Sequence, residues 1–294
     1  MSTSTTERYL DRFRGVLDYI DAHLAEDLTV ERLSHVAAFS KYHFHRQFSE
    51  LVGFGVYRYV QLKRLKRASW QLAFREPDSI GDIALANGFG GPEAFARAFR
   101  KNLGQSPTEF RNDPQWPAWY AIYDPLEDSR KRIMTGKHTP REVKIVDCRD
   151  TRVAALEYRG DPELMGNAIR EFISWRRENR LPPRLSATFN VVHHHPIGDD
   201  DGECHYDLCA ATDQGVKPNP FGVVEKVIPG GRCAVLRHVG SEGRLGEAVH
   251  YLYTQWLPES GEDLRDFPLY FQRVSFFPDV PEHEALTDIF LPLK

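Results

Sequence analysis

The chain has little cysteine and pairs none of it. Cys148, Cys204, Cys209 and Cys233 show no CxxC spacing and all lie in the second half, which reads as reduced thiols packed in or near a core. No run approaches the ~20 apolar residues of a membrane span, so no membrane partner is expected. The opening MSTSTTERYL is polar and lacks the apolar segment of a signal peptide, and the expected location is the cytoplasm. There is no GxSxG, no P-loop and no zinc-protease helix motif, so an enzyme is not the leading expectation. Excess positive charge is missing too: the net charge is −4. Taken over the whole chain, that balance weighs against a nucleic-acid binder.

The distribution of charge says more than the total. Residues 1–112 hold 16 Lys+Arg against 13 Asp+Glu, so the acidic excess falls entirely in the remainder. A mildly basic front and an acidic back suit one part that meets phosphate and another that does something else. A length of 294 residues, 41% hydrophobic and 27% charged, fits a globular chain of about two domains.

In residues 28–53, Leu28, Leu33, Val36, Phe39, Phe44, Phe48 and Leu51 recur at helical steps with a break at Ala37-Ala38-Phe39-Ser40. Ser40 can cap the helix that follows, and Gly53 can end it. Beyond the cap come Lys41, Tyr42, His43, His45, Arg46 and Gln47, side chains suited to base edges and phosphates. The pattern predicts a helix-turn-helix with a reading helix over 41–52. A long helix follows over 55–74, apolar on one side. Its other side holds Arg58, Lys63, Arg64, Lys66 and Arg67, expected to be solvated or to touch phosphate. Residues 78–111 then repeat the first unit. Leu33, Ala38 and Phe39 meet Ile83, Gly88 and Phe89 at an offset of 50; Phe44, Arg46, Phe48 and Gly53 meet Phe95, Arg97, Phe99 and Gly104 at 51. Twenty helical residues span about 30 Å, close to the spacing of about 34 Å between successive major-groove faces.

On these residues the front segment resembles the DNA-binding domain of the AraC/XylS family of transcription regulators. The signature runs from Ser40 to Phe48, then through Gly53, Arg64, Ala68, Leu72, Ile83-Ala84, Gly88-Phe89, Phe95, Phe99, Gly104, Ser106-Pro107 and Phe110-Arg111. The resemblance implies contact with double-stranded DNA from Tyr42, His43, His45, Arg46 and Gln47. In the second unit the equivalent positions include Gly91, Glu93, Arg97 and Arg100, with Ala94 and Ala96 able to offer only methyl groups. That second helix is therefore expected to position more than to read. RNA binding is disfavoured, because a reading helix does not fit the A-form major groove.

Residues 113–140 carry four prolines without sustained periodicity and read as a linker whose aromatics dock onto one domain. From Val143 the pattern alternates as strands do. Two copies of strand-strand-helix-strand-strand emerge. Arg152, Ala154, Leu156 and Gly160 meet Arg232, Ala234, Leu236 and Gly240 at an offset of 80, and Trp175 and Asp207 meet Trp256 and Asp288 at 81. The expected fold is multidomain: an all-α double helix-turn-helix domain over 1–112, a linker over 113–140, and a duplicated α+β domain over 141–294.

That rear domain resembles the GyrI-like small-molecule-binding domain on Arg152-Val153-Ala154, Gly160, Gly166, Tyr206-Asp207, the run from Pro229 to Val235, His238-Val239-Gly240, Leu245-Gly246, Trp256-Leu257-Pro258 and the run from Thr287 to Leu293. The resemblance implies a ligand cleft of aromatics with a carboxylate. Its candidates here are Glu157, Tyr158, Trp175, Tyr206, Trp256, Tyr270, Gln272 and Phe290. Where many relatives place a glutamate, this chain has Phe271 or Gln272, with Arg273 adjacent. Burying an organic cation without a counter-charge is costly, so a neutral or anionic hydrophobic or aromatic effector is also open. His193-His194-His195 beside Asp199, Asp200, Asp201 and Glu203 invites a metal reading. Adjacent histidines on a strand point to opposite faces, however, so at most two converge, and no metal or cofactor is expected. The leading expectation is a sequence-specific DNA-binding transcription regulator with a small-molecule effector, acting with RNA polymerase. The alternative is a GyrI-like binding protein or hydrolase with an accessory DNA-binding domain, its cleft chemistry resting on Glu157 and a tyrosine.

Overall fold

The computed structural model describes residues 5–75, 77–134, 142–195 and 202–294. They divide into two units. A helical unit spans residues up to 138 and takes in Pro281–His283; a sheet unit holds the rest.

The helical unit contains α1 (Thr5–Ala22), α2 (Val30–Val36), α3 (Lys41–Val52), α4 (Val56–Phe74), α5 (Ile80–Ala86), α6 (Pro92–Leu103), α7 (Pro107–Asn112) and α8 (Trp116–Met134). Local chemistry sets the ends. Thr29, Ser40, Ser79 and Ser106 each accept a backbone N–H from the first turn of α2, α3, α5 and α7, satisfying donors that the helix cannot. Gly53 and Gly104 end α3 and α6 in left-handed conformation, at φ 76° and 75°. The two turns are built alike. Phe39 N–H donates to Ser34 O and Phe89 N–H to Ala84 O, around Ala38 at φ 53° and Gly88 at φ 71°. Phe44 and Phe48 of α3, with Phe95 and Phe99 of α6, are fully buried, each worth about 1.5–3 kcal/mol of apolar transfer.

Two expectations are corrected here. Residues 116–134 are helix, not linker. Trp116 stacks on Phe74 with centroids 5.8 Å apart, and Trp119 and Tyr123 are buried beside it. Aromatic burial sustains α8 although Pro125 lies inside it. The second correction concerns α4, whose basic residues are not all a solvated face, although Arg58 is exposed. Lys63 and Lys66 are buried. Lys63 pairs with Asp21 at 3.1 Å and with Glu282, and Lys66 with Glu127 at 2.6 Å and Glu282 at 2.7 Å. Burial works against the Lys63 ammonium, but the facing Asp21 and Glu282 carboxylates win and hold its pKa well above the usual lysine range. Arg64 donates to Leu24 O at 2.9 Å and to Glu26 O at 2.5 Å, which ties its guanidinium to the chain's own backbone.

The sheet unit contains β1 (Val143–Cys148), β2 (Thr151–Gly160), α9 (Met165–Glu178), β3 (Thr188–His194), β4 (Cys204–Ala211), β5 (Val224–Ile228), β6 (Gly231–Val239), α10 (Leu245–Tyr251), α11 (Leu257–Ser260), β7 (Tyr270–Ser275) and β8 (Leu286–Pro292). One π-helical stretch, Leu252–Trp256, joins α10 to α11. All eight strands form one antiparallel sheet in the order β1-β6-β8-β7-β3-β4-β2-β5. The duplication is visible, with an exchange. β1 pairs with β6, and β5 with β2, so the first strand of each sequence copy completes the other copy's half. The centre of the sheet is the β3–β7 pair.

Strand alternation divides the side chains between two faces. On one face α9 packs Phe172 and Trp175 against Leu156, Leu208 and Ala210, and α10 packs Leu245 and Ala248 against Ala234, Leu236 and Ile289. The other face gathers Val153, Ala155, Cys209, Val191, Tyr270 and Cys233 into a single cluster drawn from both halves, which is the inside of a curled sheet.

Candidate functional site

On α3, burial of Phe44 and Phe48 fixes which side faces outward. His43, His45 and Arg46 are exposed, and Arg46 makes no ion pair among the described residues. Gln47 is half-buried, its Oε1 shut from solvent, so it is turned toward the core more than expected. The Tyr42 side chain lies outside the described residues. An exposed guanidinium on the outer face of a second helix can meet guanine O6 and N7 bidentately. On α6, Glu93 and Arg97 are exposed and Gly91 is the N-cap residue. Arg100 is held by Glu109 at 3.3 Å, although both side chains remain largely exposed. The second helix thus offers one guanidinium without an ion pair among the described residues, Arg97.

In the sheet unit, the eight ligand candidates fall on two faces. Glu157, Tyr270, Gln272 and Phe290 project to the inside of the curl, where Tyr270 stacks on Phe290 at 4.8 Å. Tyr158 and Tyr206 project to the helix-bearing face. Trp175 is core, stacked on Phe172 at 5.9 Å, and Trp256 packs against the cluster beneath α10. No single cleft therefore collects all eight, because neighbouring strand positions alternate.

Between α9 and α10 the helix-bearing face carries the central pair β3–β7, with Phe271 buried and Asn190 and Arg273 half-buried. Arg273 lies there over the Phe271 ring at 5.6 Å. It donates to Asn190 Oδ1 at 2.9 Å and pairs with Glu242 at 2.8 Å. Burial raises the Tyr206 hydroxyl to about 12, with Arg273 and Glu242 close enough to be felt. Sequence reasoning named Tyr206 and noted Arg273, but missed Asn190 and Glu242. Neither stands in a motif; only the β3–β7 pairing and the turn after β6 bring them in.

On the inner face, His193, His205 and Asp207 converge, their nearest ligand-type atoms within 4.8 Å of one another. This goes beyond the histidine run, since the second imidazole comes from β4. His195 instead meets the Tyr206 hydroxyl at 3.0 Å, and Asp199, Asp200 and Asp201 lie outside the described residues.

The comparisons with known proteins follow the same division. A GyrI-like small molecule binding domain matches residues 141–294 and a helix-turn-helix domain matches residues 33–113. The probable transcriptional regulator YgiV of Escherichia coli (strain K12) is 34% identical over 153 residues, covering 52% of this chain and 96% of YgiV. The right origin-binding protein of the same strain is 27% identical over 214 residues, covering 68% and 69% of the two chains. A cryo-EM structure of the EcmrR–DNA complex in EcmrR-RPo aligns at TM-score 0.44 and 15% identity, over 90% of this chain and 98% of that one. Two helix-turn-helix units followed by a small-molecule-binding module make this a DNA-binding transcription regulator. The chain belongs to the GyrI-like family, here joined to an AraC-type helix-turn-helix domain. No described helix is long and apolar enough to cross a membrane.

Proposed function

We propose that α3 reads operator sequence through His43, His45 and Arg46, with Tyr42 and Gln47 beside them, while α6 positions the duplex through Arg97 and Arg100. The observation that carries this reading is the exposed face of α3, set by full burial of Phe44 and Phe48 behind it. Residues 1–112 hold the reading elements and residues 141–294 the effector module. The regulator works in the cytoplasm, and its output passes to RNA polymerase. Arg46→Ala in the full chain should weaken binding to a duplex selected from a random pool by about 1–3 kcal/mol and relax preference at one base. Unchanged discrimination between that duplex and its single-base variants removes Arg46 from the reading set.

The effector is a small hydrophobic or aromatic molecule, neutral or anionic, seated over β3 and β7 against Phe271 and Tyr206. Arg273 supports this reading: its guanidinium lies over the Phe271 ring and holds the Glu242 carboxylate, the counter-charge that a cationic ligand would need. Anionic aromatic dyes should bind the full chain more tightly than cationic ones of equal size, and Arg273→Glu should reverse the order. A preference that ignores the Arg273 charge places the site elsewhere.

A further inference from the structure

The inner face of the β5-β2-β4-β3 half carries an ionisable cluster with no counterpart in the other half. Glu157 stands opposite Asp207 in the β2–β4 register, two carboxylates side by side. The equivalent pair in the other half, Arg237 and Asp288, is of opposite charge and closes on itself through two hydrogen bonds of 2.7 Å. Where His193 and His205 stand, the other half has Val274 and Leu286 at the same offset of 81. The two imidazoles stack at 4.2 Å, and His193 Nε2 lies 3.0 Å from Asp207 Oδ2. Asp207 is buried. His205 Nε2 is also buried. It lies 3.0 Å from Glu157 Oε1 yet finds no hydrogen-bond partner among the described residues.

We propose that His193, His205 and Asp207 bind a divalent first-row cation of the zinc type. Two imidazole nitrogens and one carboxylate oxygen are the donor set such ions favour, and the neutral imidazole is the binding form. Burial, with His193 and Arg159 nearby, lowers the His205 pKa against the opposing pull of Glu157 and Asp207. Donor atoms spread over 4.8 Å must close to about 3.3 Å around a tetrahedral ion, a rotation of side-chain ends rather than a change of strand register. Lys226 is the resident competitor. Its Nζ sits 2.8 Å from Asp207 Oδ1 and 3.4 Å from Glu157 Oε2, supplying the positive charge that the paired carboxylates require. A bound cation takes over that role and releases the ammonium toward solvent.

The test is titration of the chelator-treated full chain with zinc chloride, alongside visible spectra of its cobalt(II) form. One equivalent should bind. His205→Ala and His193→Ala should each weaken binding by at least about tenfold, with circular dichroism unchanged. Lys226→Met should tighten binding about tenfold, because nothing then competes for Asp207. A merely structural cluster would not show that gain. Absence of saturable zinc binding overturns the proposal. So does an affinity unmoved by both histidine variants, or a cobalt–thiolate charge-transfer band, which would place the ion on the cysteines.

Discussion

On β6 and β8, Arg237 grips Asp288 with both ends of its fork; on β2 and β4 the same two positions hold Glu157 and Asp207, which repel. One half is self-neutralising. The other borrows Lys226 from β5 and gathers two histidines around the excess negative charge. A repeated backbone fixes where side chains stand, and a single exchange of charge sign then decides whether the position is closed or open to a cation. The helix-turn-helix repeats differ in the same way. Both turns require a left-handed residue, and one copy supplies Gly88 while the other makes Ala38 adopt that conformation.

The largest effect that would break this comparison is at Gly88. A Cβ there would meet Leu24 O at 2.7 Å and the Arg64 guanidinium at 2.8 Å, on top of left-handed strain. Gly88→Ala should cost about 3 kcal/mol in urea unfolding of the helical unit. A cost near zero would mean that the two turns are interchangeable after all. Next comes Lys226→Met in the metal-free chain, which strands Asp207 beside Glu157. The penalty for removing one partner of a buried pair applies, reduced because the Lys226 side chain is 32% exposed. About 2 kcal/mol is expected by the same measurement. Ala38→Gly should go the other way, relieving the strain that Gly88 avoids, and raise the unfolding midpoint by the equivalent of about 1 kcal/mol. The smallest change is Arg237→Ala. That side chain is 57% exposed, so thermal unfolding should report less than about 1 kcal/mol. If it costs as much as Lys226→Met, the two halves are equally dependent on their cations.

Much of the helical unit was legible because its rules are local. Ser40, Ser79, Gly53, Gly104 and Pro92 act within a turn of themselves, and the offsets of 50 and 51 set the two units in register. α8 was hidden because Pro117, Pro125 and a run of aromatics give no clean period; its helicity comes from burial against Phe74 and Phe110. The fate of Lys63 and Lys66 was hidden for a related reason. A basic residue one turn from another looks solvated until Asp21, Glu127 and Glu282, far off in sequence, are folded against it. In the sheet, the duplication could be read from spacing, but the histidine run could not reveal that its partners are His205 and Asp207 on β4.

The sequence by itself determined the caps, the two helix-turn-helix repeats, the alternation of the strands and the copy number of the rear module. The caps and the alternation follow from residues within about a dozen positions of one another, where backbone geometry leaves few choices, and the repeats from the same local patterns recurring at offsets of 50–51 and 80–81. Only the tertiary structure decided that β1 and β5 exchange halves, that the eight ligand candidates divide between two faces, and that Glu157, Asp207, Lys226, His193 and His205 meet. Strand pairing is a long-range choice. Every strand carries the same unsatisfied N–H and C=O groups, so the partner is selected by the packing of the whole sheet and not by the strand's own residues.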